Sequence, residues 1–250
     1  MPLDADPADV TPHTAHTAAP PALPSVFDLA FLTDVDGITE LILIRHGEQD
    51  LPNRGSARVG DLVDPPLSAR GERQAQLVGE RFRDTEIDAV YSSSLRRAHQ
   101  TGVAVARHHG LTPVVIKELE EIRLYEGLDP DKTPLEILGP TLLLGARDRM
   151  LRERKWDSYP FSERSLEFRG RVAMAIDGIV ISHPGQRVVV ACHGGVINAY
   201  LANHLGIEAD MWFRPAHTAV NVVWAKDQVR SLRSINDLNH LAAEPALVTH

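Results

Sequence analysis

Two hydrophobic patterns alternate along residues 40–225. Short apolar runs predict strands over 40–44, 88–93, 112–116, 187–192 and 218–225. Longer stretches, with apolar residues three or four positions apart, predict helices over 69–83, 95–109, 134–156 (as one or two helices), 165–181 and 195–205. Strands that alternate with helices are typical of α/β proteins. We therefore expect a three-layer sandwich in which helices flank a mostly parallel central sheet.

The domain organisation follows from where these patterns stop. Residues 1–25 are rich in Ala, Pro, Thr and Asp and show neither period, which predicts a disordered or loosely ordered tail. The patterned remainder predicts a single domain over about 38–240. Within it, a lid-like insertion at about 128–160 carries basic side chains among leucines, namely Arg147, Arg149, Arg152, Arg154 and Lys155. These cations fit either a solvated helix face or a lid that contacts a ligand.

The formal net charge of −8 is concentrated at the front of the chain. Residues 1–44 hold seven acidic and no basic side chains, so the rest carries only −1 and has no basic surplus for nucleic acid. The single cysteine, Cys192, fits a reducing compartment, and no apolar run reaches the roughly 18–20 residues of a membrane span. Because the chain lacks the early positive charge of an export or transit signal, we expect a cytoplasmic protein.

Two apolar runs end on a histidine followed by glycine. The segment "LILIRHGE" places Arg45, His46 and Gly47 after the first strand, and "VVVACHGG" places His193 and Gly194 after a later one. In open α/β sheets, ligands bind beyond the carboxyl ends of the strands. The glycines remove side chains where the backbone turns sharply or approaches a ligand closely. We therefore expect both histidines at one ligand site.

A third junction adds arginines. In "YSSSLRRAHQTG" (91–102), Ser93 or Ser94 is predicted to cap a helix whose first turn contains Arg96 and Arg97. Cations are unfavourable there for helix stability because the helix N-terminus is already partly positive. The same place is favourable if an anion is bound, since free N–H groups, the helix dipole and a guanidinium all attract it.

Two histidines and two or more arginines at the ends of three strands indicate phosphoryl transfer through a histidine. A neutral imidazole attacks phosphorus, and cationic groups stabilise the charge on the other oxygens. When arginines supply that charge, neither a metal ion nor another cofactor is required.

Four segments, in order, resemble the histidine phosphatase superfamily, also called the phosphoglycerate mutase-like family: "LILIRHGE", "DPPLSARGERQAQ" (64–76), "YSSSLRRAHQT" and "VVVACHGG". The resemblance implies that family's α/β fold and a small phosphorylated metabolite as substrate. It also implies the following site residues: His46 as the phosphorylated nucleophile, Arg45, Arg97, His193 and Gly194 around the phosphate, and Asn53 and Arg58 as further substrate contacts. Arg97, rather than Arg96, matches the family's Leu-x-Arg-Ala.

The resemblance also implies a general acid. "ELEEIRLYEG" (118–127) is similar to the family's Leu-x-Glu segment, which aligns Leu119 and makes Glu121 the expected acid. Glu118 and Glu120 stay open as alternatives. Cys192 lies inside a predicted strand whose alternation directs its side chain away from His193, so we do not expect it to be a nucleophile.

The choice between phosphatase and mutase depends on departures from the family pattern. Dedicated phosphoglycerate mutases carry Gly-Asn after the second histidine and an Arg-Arg-Ser-Tyr-like segment in the insertion. This chain has Gly194-Gly195 and no such segment, so we expect hydrolysis of a phosphomonoester. Mutase-type transfer and a catalytically silent scaffold that binds phosphorylated ligands are the alternatives. In "ERSLEF", Arg164 stands where the family often has Glu, as an added cation near the site or a surface change. The leucines at 142–144 fit a core or a homodimer interface.

Overall fold

The computed structural model describes residues 23–53 and 55–250, so the predicted N-terminal tail lies almost entirely outside the described residues. The helices are α1 (Val26–Phe31), α2 (Val59–Val63), α3 (Ala69–Arg81), α4 (Arg96–Ala106), α5 (Pro134–Glu153), α6 (Ser165–Ser182) and α7 (Gly194–Leu205). The strands are β1 (Thr39–Arg45), β2 (Ala89–Ser93), β3 (Val114–Ile116), β4 (Arg187–Cys192), β5 (Val220–Lys226) and β6 (Val229–Asp237).

The strands form one sheet in the order β3-β2-β4-β1-β5-β6. The first four strands are parallel to one another. At one edge, β5 pairs antiparallel with β1, and β6 pairs antiparallel with β5. This arrangement confirms the predicted α/β sandwich with a mostly parallel sheet. The sequence patterns missed β6 because it is an edge strand in which Ser231 is the one buried residue. An edge strand exposed to solvent lacks the continuous apolar run of a central strand.

Alternating side chains of β1 build the cores on the two faces of the sheet. Leu41 and Leu43 pack on the side of α6 and α7, and Ile42 and Ile44 pack on the side of α3 and α4. Cys192 belongs to the core on the α6 and α7 side. Burial raises the pKa of its thiol, which stays protonated in neutral solution.

The apolar face predicted for the helix over 165–181 is correct except at its beginning. Phe168, Val172, Ile176 and Ile179 are buried in α6, but Leu166 is 82% exposed. Leu166 lies in the first turn of the helix, where the spacing of apolar residues does not yet coincide with contact to the sheet.

The predicted helical region 134–156 consists of two helical runs within α5. They join at Gly139, whose φ of 70° is outside the helical region, directly before Pro140. The end of α5 is tied to the chain before β5, because the carbonyl of Arg154 accepts the N–H of Asp210 at 2.8 Å. The insertion thus lies next to the carboxyl edge of the sheet.

Candidate active site

The residues that the sequence predicts for a phosphate site lie together at the carboxyl edge of the sheet. Arg45 of β1 pairs with Cys192 of β4, so His46 and His193 follow neighbouring parallel strands. The main-chain N–H of His46 donates to the carbonyl of Cys192 (2.9 Å), and the two imidazole centroids are 5.1 Å apart. Arg97 reaches them from the first turn of α4, where its Nε donates to His46 Nε2 at 3.3 Å.

His46 presents an unprotonated Nε2. The residue is buried, and its Nδ1 lies 2.6 Å from the carbonyl oxygen of Gly47. Because a carbonyl oxygen only accepts, we assign the proton to Nδ1, which leaves Nε2 unprotonated, with a lone pair that accepts the N–H of Arg97. Burial lowers the pKa of His46 well below its usual value, and His193, Arg97 and Arg45 lower that pKa further. The imidazole is therefore neutral at physiological pH, the state in which it is nucleophilic.

Two guanidinium groups lie beside His46. Arg45 donates from Nη1 to the carbonyl of Pro215 at 2.5 Å, and its buried Nε has no hydrogen-bond partner among the described residues. Arg97 is 5% exposed and donates from Nη1 to the carbonyl of Val63 at 3.3 Å. Burial lowers the pKa of Arg45 to about 10, so the group stays cationic at neutral pH. Buried cations with unused donors attract an anion.

Arg96, next to Arg97 in the chain, points elsewhere. Its Nε and Nη2 donate to the carbonyl of Asp64 at 3.0 and 2.5 Å, and its Nε lies 3.4 Å from the carboxylate of that residue. The Arg96 side chain is 59% exposed, so the first turn of α4 contributes one guanidinium to the site and one to a surface ion pair.

His193 precedes α7 as its N-cap residue and is fully buried. Its Nε2 lies 2.9 Å from the hydroxyl of Ser93, and its Nδ1 has no partner within the described part of the chain. Burial, followed by the charges of nearby arginines, lowers the pKa of His193. The expectation that Ser93 or Ser94 caps α4 is wrong, because Leu95 is the N-cap residue. Ser93 instead accepts the N–H of Leu95 (3.2 Å) and holds His193.

Glu121 is the carboxylate that reaches this edge of the sheet. Its Oε2 accepts the N–H of Gly195 in the first turn of α7 at 3.0 Å. Its Oε1 accepts the N–H of Ile122 at 3.0 Å. A Cβ at position 195 would lie 2.1 Å from Glu121 Oε1, so a residue other than glycine would displace this carboxylate from its present position. Of the other candidates, Glu118 is exposed and Glu120 accepts a hydrogen bond from Ser94 at 2.5 Å.

A buried ion pair that no sequence pattern indicated holds the Glu121 segment. Arg171 of α6 donates to the main-chain carbonyls of Glu118, Glu120 and Glu121 at 2.6, 2.8 and 3.2 Å. Its guanidinium also donates to both carboxylate oxygens of Glu163, at 2.7 and 2.8 Å, and Glu163 is 4% exposed. The pair therefore ties α6 to the segment that carries Glu121.

Arg164, the departure from the family pattern, lies on the surface. It is the exposed N-cap residue of α6. The preceding residue, Glu163, is the one that turns inward. The structure thus favours the surface interpretation of Arg164 over an added cation near the site.

We expect Glu163→Gln to lower the free energy of unfolding by about 3 kcal/mol at pH 7, because Arg171 loses the charge that compensates its burial. Burial raises the pKa of Glu163, but the hydrogen bonds and charges of Arg171 and Arg123 outweigh it, so the pKa is lowered. A carboxyl with a lowered folded-state pKa stabilises the fold above its unfolded pKa. This contribution is lost as the pH falls through the folded value. Urea unfolding should therefore show wild type and variant converging below about pH 4.

The control for this prediction is Glu167→Gln, at an exposed position of the same helix. It should change the unfolding free energy by less than about 0.5 kcal/mol at either pH. An equal loss for Glu163→Gln at pH 7 and pH 3 would show that the carboxylate charge is not what stabilises the segment.

A third histidine, His217, lies beside His46 although no motif indicated it. Its ring centroid is 5.7 Å from that of His46, the residue is 6% exposed, and its Nδ1 lies 2.8 Å from the hydroxyl of Thr249. Burial, helped by the charges of Arg45 and Arg214, lowers the pKa of His217 to about 3. It escaped the sequence reasoning because it precedes a strand. Since β5 is antiparallel to β1, the start of β5 lies where β1 ends.

The glycines after the histidines have different surroundings. Gly194 begins α7 beside Arg45, and a Cβ there would lie 3.6 Å from Arg45 Nε, an ordinary contact. At Gly47, a Cβ would lie 2.5 Å from the carbonyl oxygen of Gly71 in α3. The expected close approach at Gly47 is therefore to the backbone of a helix.

Asn53 and Arg58 lie in the loop that leads into α2, on either side of the undescribed Arg54. Both are exposed. The carbonyl of Asn53 accepts the N–H of Ser56 (2.8 Å), and the N–H of Arg58 donates to Asp61 (2.8 Å). Their contact with substrate stays a prediction.

A cavity of about 600 Å³ opens beside Arg45 and the first turn of α7. Its other walls come from the end of α5 and from the chain over 209–215. The apolar part of the lining consists of Met150, Leu151, Trp156, Met211, Trp212 and Phe213. Arg154 and Arg214 contribute two further guanidinium groups. The insertion therefore supplies one wall of a cavity next to the histidine site.

Histidines, arginines and a carboxylate at the carboxyl edge of an α/β sheet are typical of enzymes that act on phosphate esters. The sequence profile described as "Histidine phosphatase superfamily (branch 1)" matches residues 41–238. The chain belongs to this superfamily, which confirms the resemblance drawn from the four segments.

Known proteins of both kinds of activity are similar to this chain. It is 28% identical over 225 residues to "Metal-independent phosphoserine phosphatase" of Arabidopsis thaliana, with 82% of this chain and 84% of the relative covered. It is 30% identical over 168 residues to "Probable phosphoglycerate mutase GpmB" of Yersinia enterocolitica, with 67% and 75% covered. Among solved structures, YhfR of Bacillus stearothermophilus is 27% identical, with a TM-score of 0.68 over 81% of this chain and 99% of that one.

None of the helices within 23–53 and 55–250 is long and apolar enough to cross a bilayer.

Proposed function

We propose that the protein hydrolyses phosphomonoesters through a phosphohistidine on His46 and that no metal ion takes part. The observation that carries the proposal is the state of His46. Its Nε2 is unprotonated and lies against the guanidinium of Arg97, with Arg45 and His193 beside it. A buried neutral nucleophile among buried cations fits a dianionic group such as a phosphate monoester.

In the first step, the Nε2 lone pair of His46 forms a bond to phosphorus while the bond from phosphorus to the alcohol oxygen breaks. Arg45 and Arg97 donate hydrogen bonds to the non-bridging oxygens and stabilise their charge. Glu121, in its carboxylic acid form, gives its proton to the departing oxygen, which leaves as a neutral alcohol. His193 contributes its otherwise unpartnered Nδ1 to a phosphoryl oxygen.

In the second step, water attacks phosphorus on the side opposite His46. The carboxylate of Glu121 takes a proton from that water, and the bond between phosphorus and Nε2 breaks. Inorganic phosphate leaves, the Nε2 lone pair is restored, and Glu121 is again a carboxylic acid. The two steps together consume one water and release one alcohol and one phosphate.

Hydrolysis is favoured over transfer to a second hydroxyl by the residues after His193. Gly194-Gly195 replaces the Gly-Asn of dedicated phosphoglycerate mutases, and a Cβ at position 195 would displace the Glu121 carboxylate from its present position. A relative with a phosphatase name and one with a probable mutase name are both similar to this chain. Mutase activity and a silent scaffold are therefore outcomes that the experiment below must separate.

We propose that the alcohol part of the substrate binds in the 600 Å³ cavity beside Arg45. That volume lies within the roughly 300–1,000 Å³ of small-molecule sites. Trp156, Trp212 and Phe213 favour an apolar or aromatic body, and Arg154 and Arg214 favour a second anionic group on it. The substrate is thus a small phosphorylated metabolite of that class.

The test uses the purified chain in EDTA with two phosphate esters labelled with ³²P, 2-phenylethyl phosphate and n-propyl phosphate. Both release alcohols of similar basicity, so a difference between them reports binding of the aromatic ring. We expect a phosphoenzyme that is labile to acid and stable to alkali, release of inorganic phosphate, and a kcat/KM about 10- to 100-fold higher for the aromatic ester.

Each other outcome points to one alternative. Label on the protein that moves to added phosphoglycerate, with little free phosphate, would establish a mutase. An unlabelled protein that binds the esters without turnover would establish a scaffold. Equal kcat/KM values for the two esters would reject the cavity as the leaving-group site while leaving the phosphatase proposal in place.

A further inference from the structure

We infer that His217 is a third histidine of the phosphate pocket, which donates Nε2–H to a phosphoryl oxygen, and that Thr249 and Gln74 hold it in the donating state. The inference rests on the proposed function, because it assigns a contact to the phosphoryl group that His46 would accept. His217 and Thr249 lie outside the four sequence segments, and Gln74 lies in the second of them without a role assigned to it.

The first observation is where the ring lies. Its centroid is 5.7 Å from that of His46, close to the 5.1 Å between His46 and His193. The two outer imidazoles thus lie at similar distances from the nucleophile. The ring of His217 is anchored through Nδ1 to Thr249, and its Nε2 makes no hydrogen bond to the residues that the structure describes. A group that arrives on His46 would meet a free imidazole nitrogen on each of two rings.

The second observation is the hydrogen-bond chain behind His217. Gln74 is fully buried and its amide orientation is set by two main-chain groups. Its Oε1 accepts the N–H of Glu48 at 2.7 Å, and its Nε2 donates to the carbonyl of Leu247 at 2.5 Å. In a flipped amide, Gln74 Nε2 would face the N–H of Glu48, and Oε1 would face the carbonyl of Leu247. Neither pair can form a hydrogen bond, so this orientation of the amide is determined. The same Nε2 also donates to the hydroxyl of Thr249 at 2.9 Å.

We assign the tautomer of His217 from these hydrogen bonds. The Thr249 hydroxyl already accepts from Gln74, so its own proton is free to be donated to His217 Nδ1, 2.8 Å away. An Nδ1 that accepts leaves the ring proton on Nε2. His46 has the opposite arrangement, with its proton on Nδ1 and a bare Nε2. One ring therefore offers a lone pair to phosphorus and the other an N–H to oxygen.

The third observation is a strained residue directly after His217. Thr218 has φ of 58°, a region that a β-branched residue rarely adopts. Its N–H donates to the carbonyls of Arg45 (3.1 Å) and His46 (3.3 Å). The strained turn thus ties the chain at His217 to the main chain that carries the nucleophile. Strain of this kind persists where the surroundings over-determine a conformation, which motivates a functional hypothesis for the residue it positions.

Residues 244–250, which bring Thr249 to His217, are held at several points. Glu244 forms an ion pair with Arg73 of α3, the main-chain N–H of His217 donates to the carbonyl of Thr249 at 2.9 Å, and Arg214 donates to the main-chain oxygen of His250 at 2.7 Å. The support for His217 is therefore rigid. A fixed neutral donor aimed at developing charge stabilises a transition state because it needs no reorganisation.

The test compares wild type with His217→Leu and His217→Gln, in single-turnover measurements of phosphoenzyme formation and decay and in titrations with vanadate. Leucine keeps apolar volume but removes the donor, whereas glutamine places an amide N–H near the position of Nε2. We expect His217→Leu to slow kcat and weaken vanadate binding by on the order of 10²-fold, and His217→Gln to recover about tenfold of that loss. Thr249→Val should lose about tenfold in kcat, and Thr249→Ser should restore it.

The outcomes separate this inference from the proposed function. Wild type that forms no phosphoenzyme would reject the proposed function itself. Wild type that forms one, with rates and vanadate affinity unchanged in His217→Leu, would show that His217 is only a packing residue, even if its melting temperature falls. If His217→Leu does not fold, the Thr249→Val and Thr249→Ser pair decides. If Thr249→Val and Thr249→Ser have the same kcat, the role of Thr249 in holding His217 is rejected. A loss of kcat in Thr249→Val that Thr249→Ser restores supports that role.

Discussion

His46→Ala is expected to reduce kcat for phosphomonoester hydrolysis by roughly 10⁴-fold or more, because the variant has no group to accept the phosphoryl. The pocket around it should survive. Arg45, Arg97 and His193 are held by main-chain carbonyls and by Ser93, not by the imidazole of His46 alone. Inorganic phosphate should therefore still bind, with a Kd within about tenfold of wild type, as isothermal titration would show.

The matched control is His108→Ala, at a half-exposed histidine just beyond α4, which should leave kcat unchanged. The wild-type pH profile adds a second check. Because the pKa of His46 is lowered well below 6.5, the nucleophile stays unprotonated as the pH falls from 7 to 5. After correction for the second ionisation of the phosphate ester itself, kcat/KM should accordingly show no acid limb from the imidazole near pH 6.5. A His46→Ala variant that keeps more than a tenth of wild-type kcat would remove this residue from the mechanism.

Glu121→Gln is expected to affect poor leaving groups far more than good ones. An alkoxide needs a proton as it departs, so hydrolysis of n-propyl phosphate should slow by about 10²- to 10⁴-fold. A nitrophenolate leaves without a proton, so breakage of the P–O bond in p-nitrophenyl phosphate should slow much less. Single-turnover phosphoenzyme formation isolates that step from the later attack by water. The readout is the ratio of the two rates in variant and wild type.

Glu120→Gln is the control for this prediction, since its carboxylate binds the hydroxyl of Ser94 and shares the Arg171 anchor through its main chain. It should leave the ratio of the two rates unchanged. Equal slowing of both esters by Glu121→Gln would mean that Glu121 binds or positions the substrate instead of protonating the leaving oxygen. A larger effect from Glu120→Gln would transfer the acid role to Glu120.

The two predictions depend on residues that a reader of the sequence can locate to different degrees. Arg45 ends a strand, and His46, His193 and Arg97 each follow one within a few positions. Their place at the carboxyl edge is therefore set by local order along the chain. Glu121 follows the short strand β3 after a 3₁₀ turn over Lys117–Leu119. The sequence therefore left open which of three neighbouring glutamates reaches the site, and the structure shows the contact of Glu121 with Gly195.

The fold shows the same division. Central strands such as β1 and β4 are buried on both faces, so their apolar runs identify them without any knowledge of their partners. The edge strand β6 and the short helices α1 and α2 have no such signal, because few of their side chains need to be buried. The kink in α5 was readable only as one helix or two.

The α/β class, the superfamily and the group of histidines and arginines at the strand ends could be read from the sequence. Each depends on periodicity or on neighbours along the chain. The contacts of His217 and Arg171 became known from the three-dimensional structure. His217 meets Thr249 across 32 positions, and Arg171 meets the Glu121 segment across about 50. Contacts between such distant segments depend on which strands pair and in which direction, and the order of residues along one chain does not carry that information.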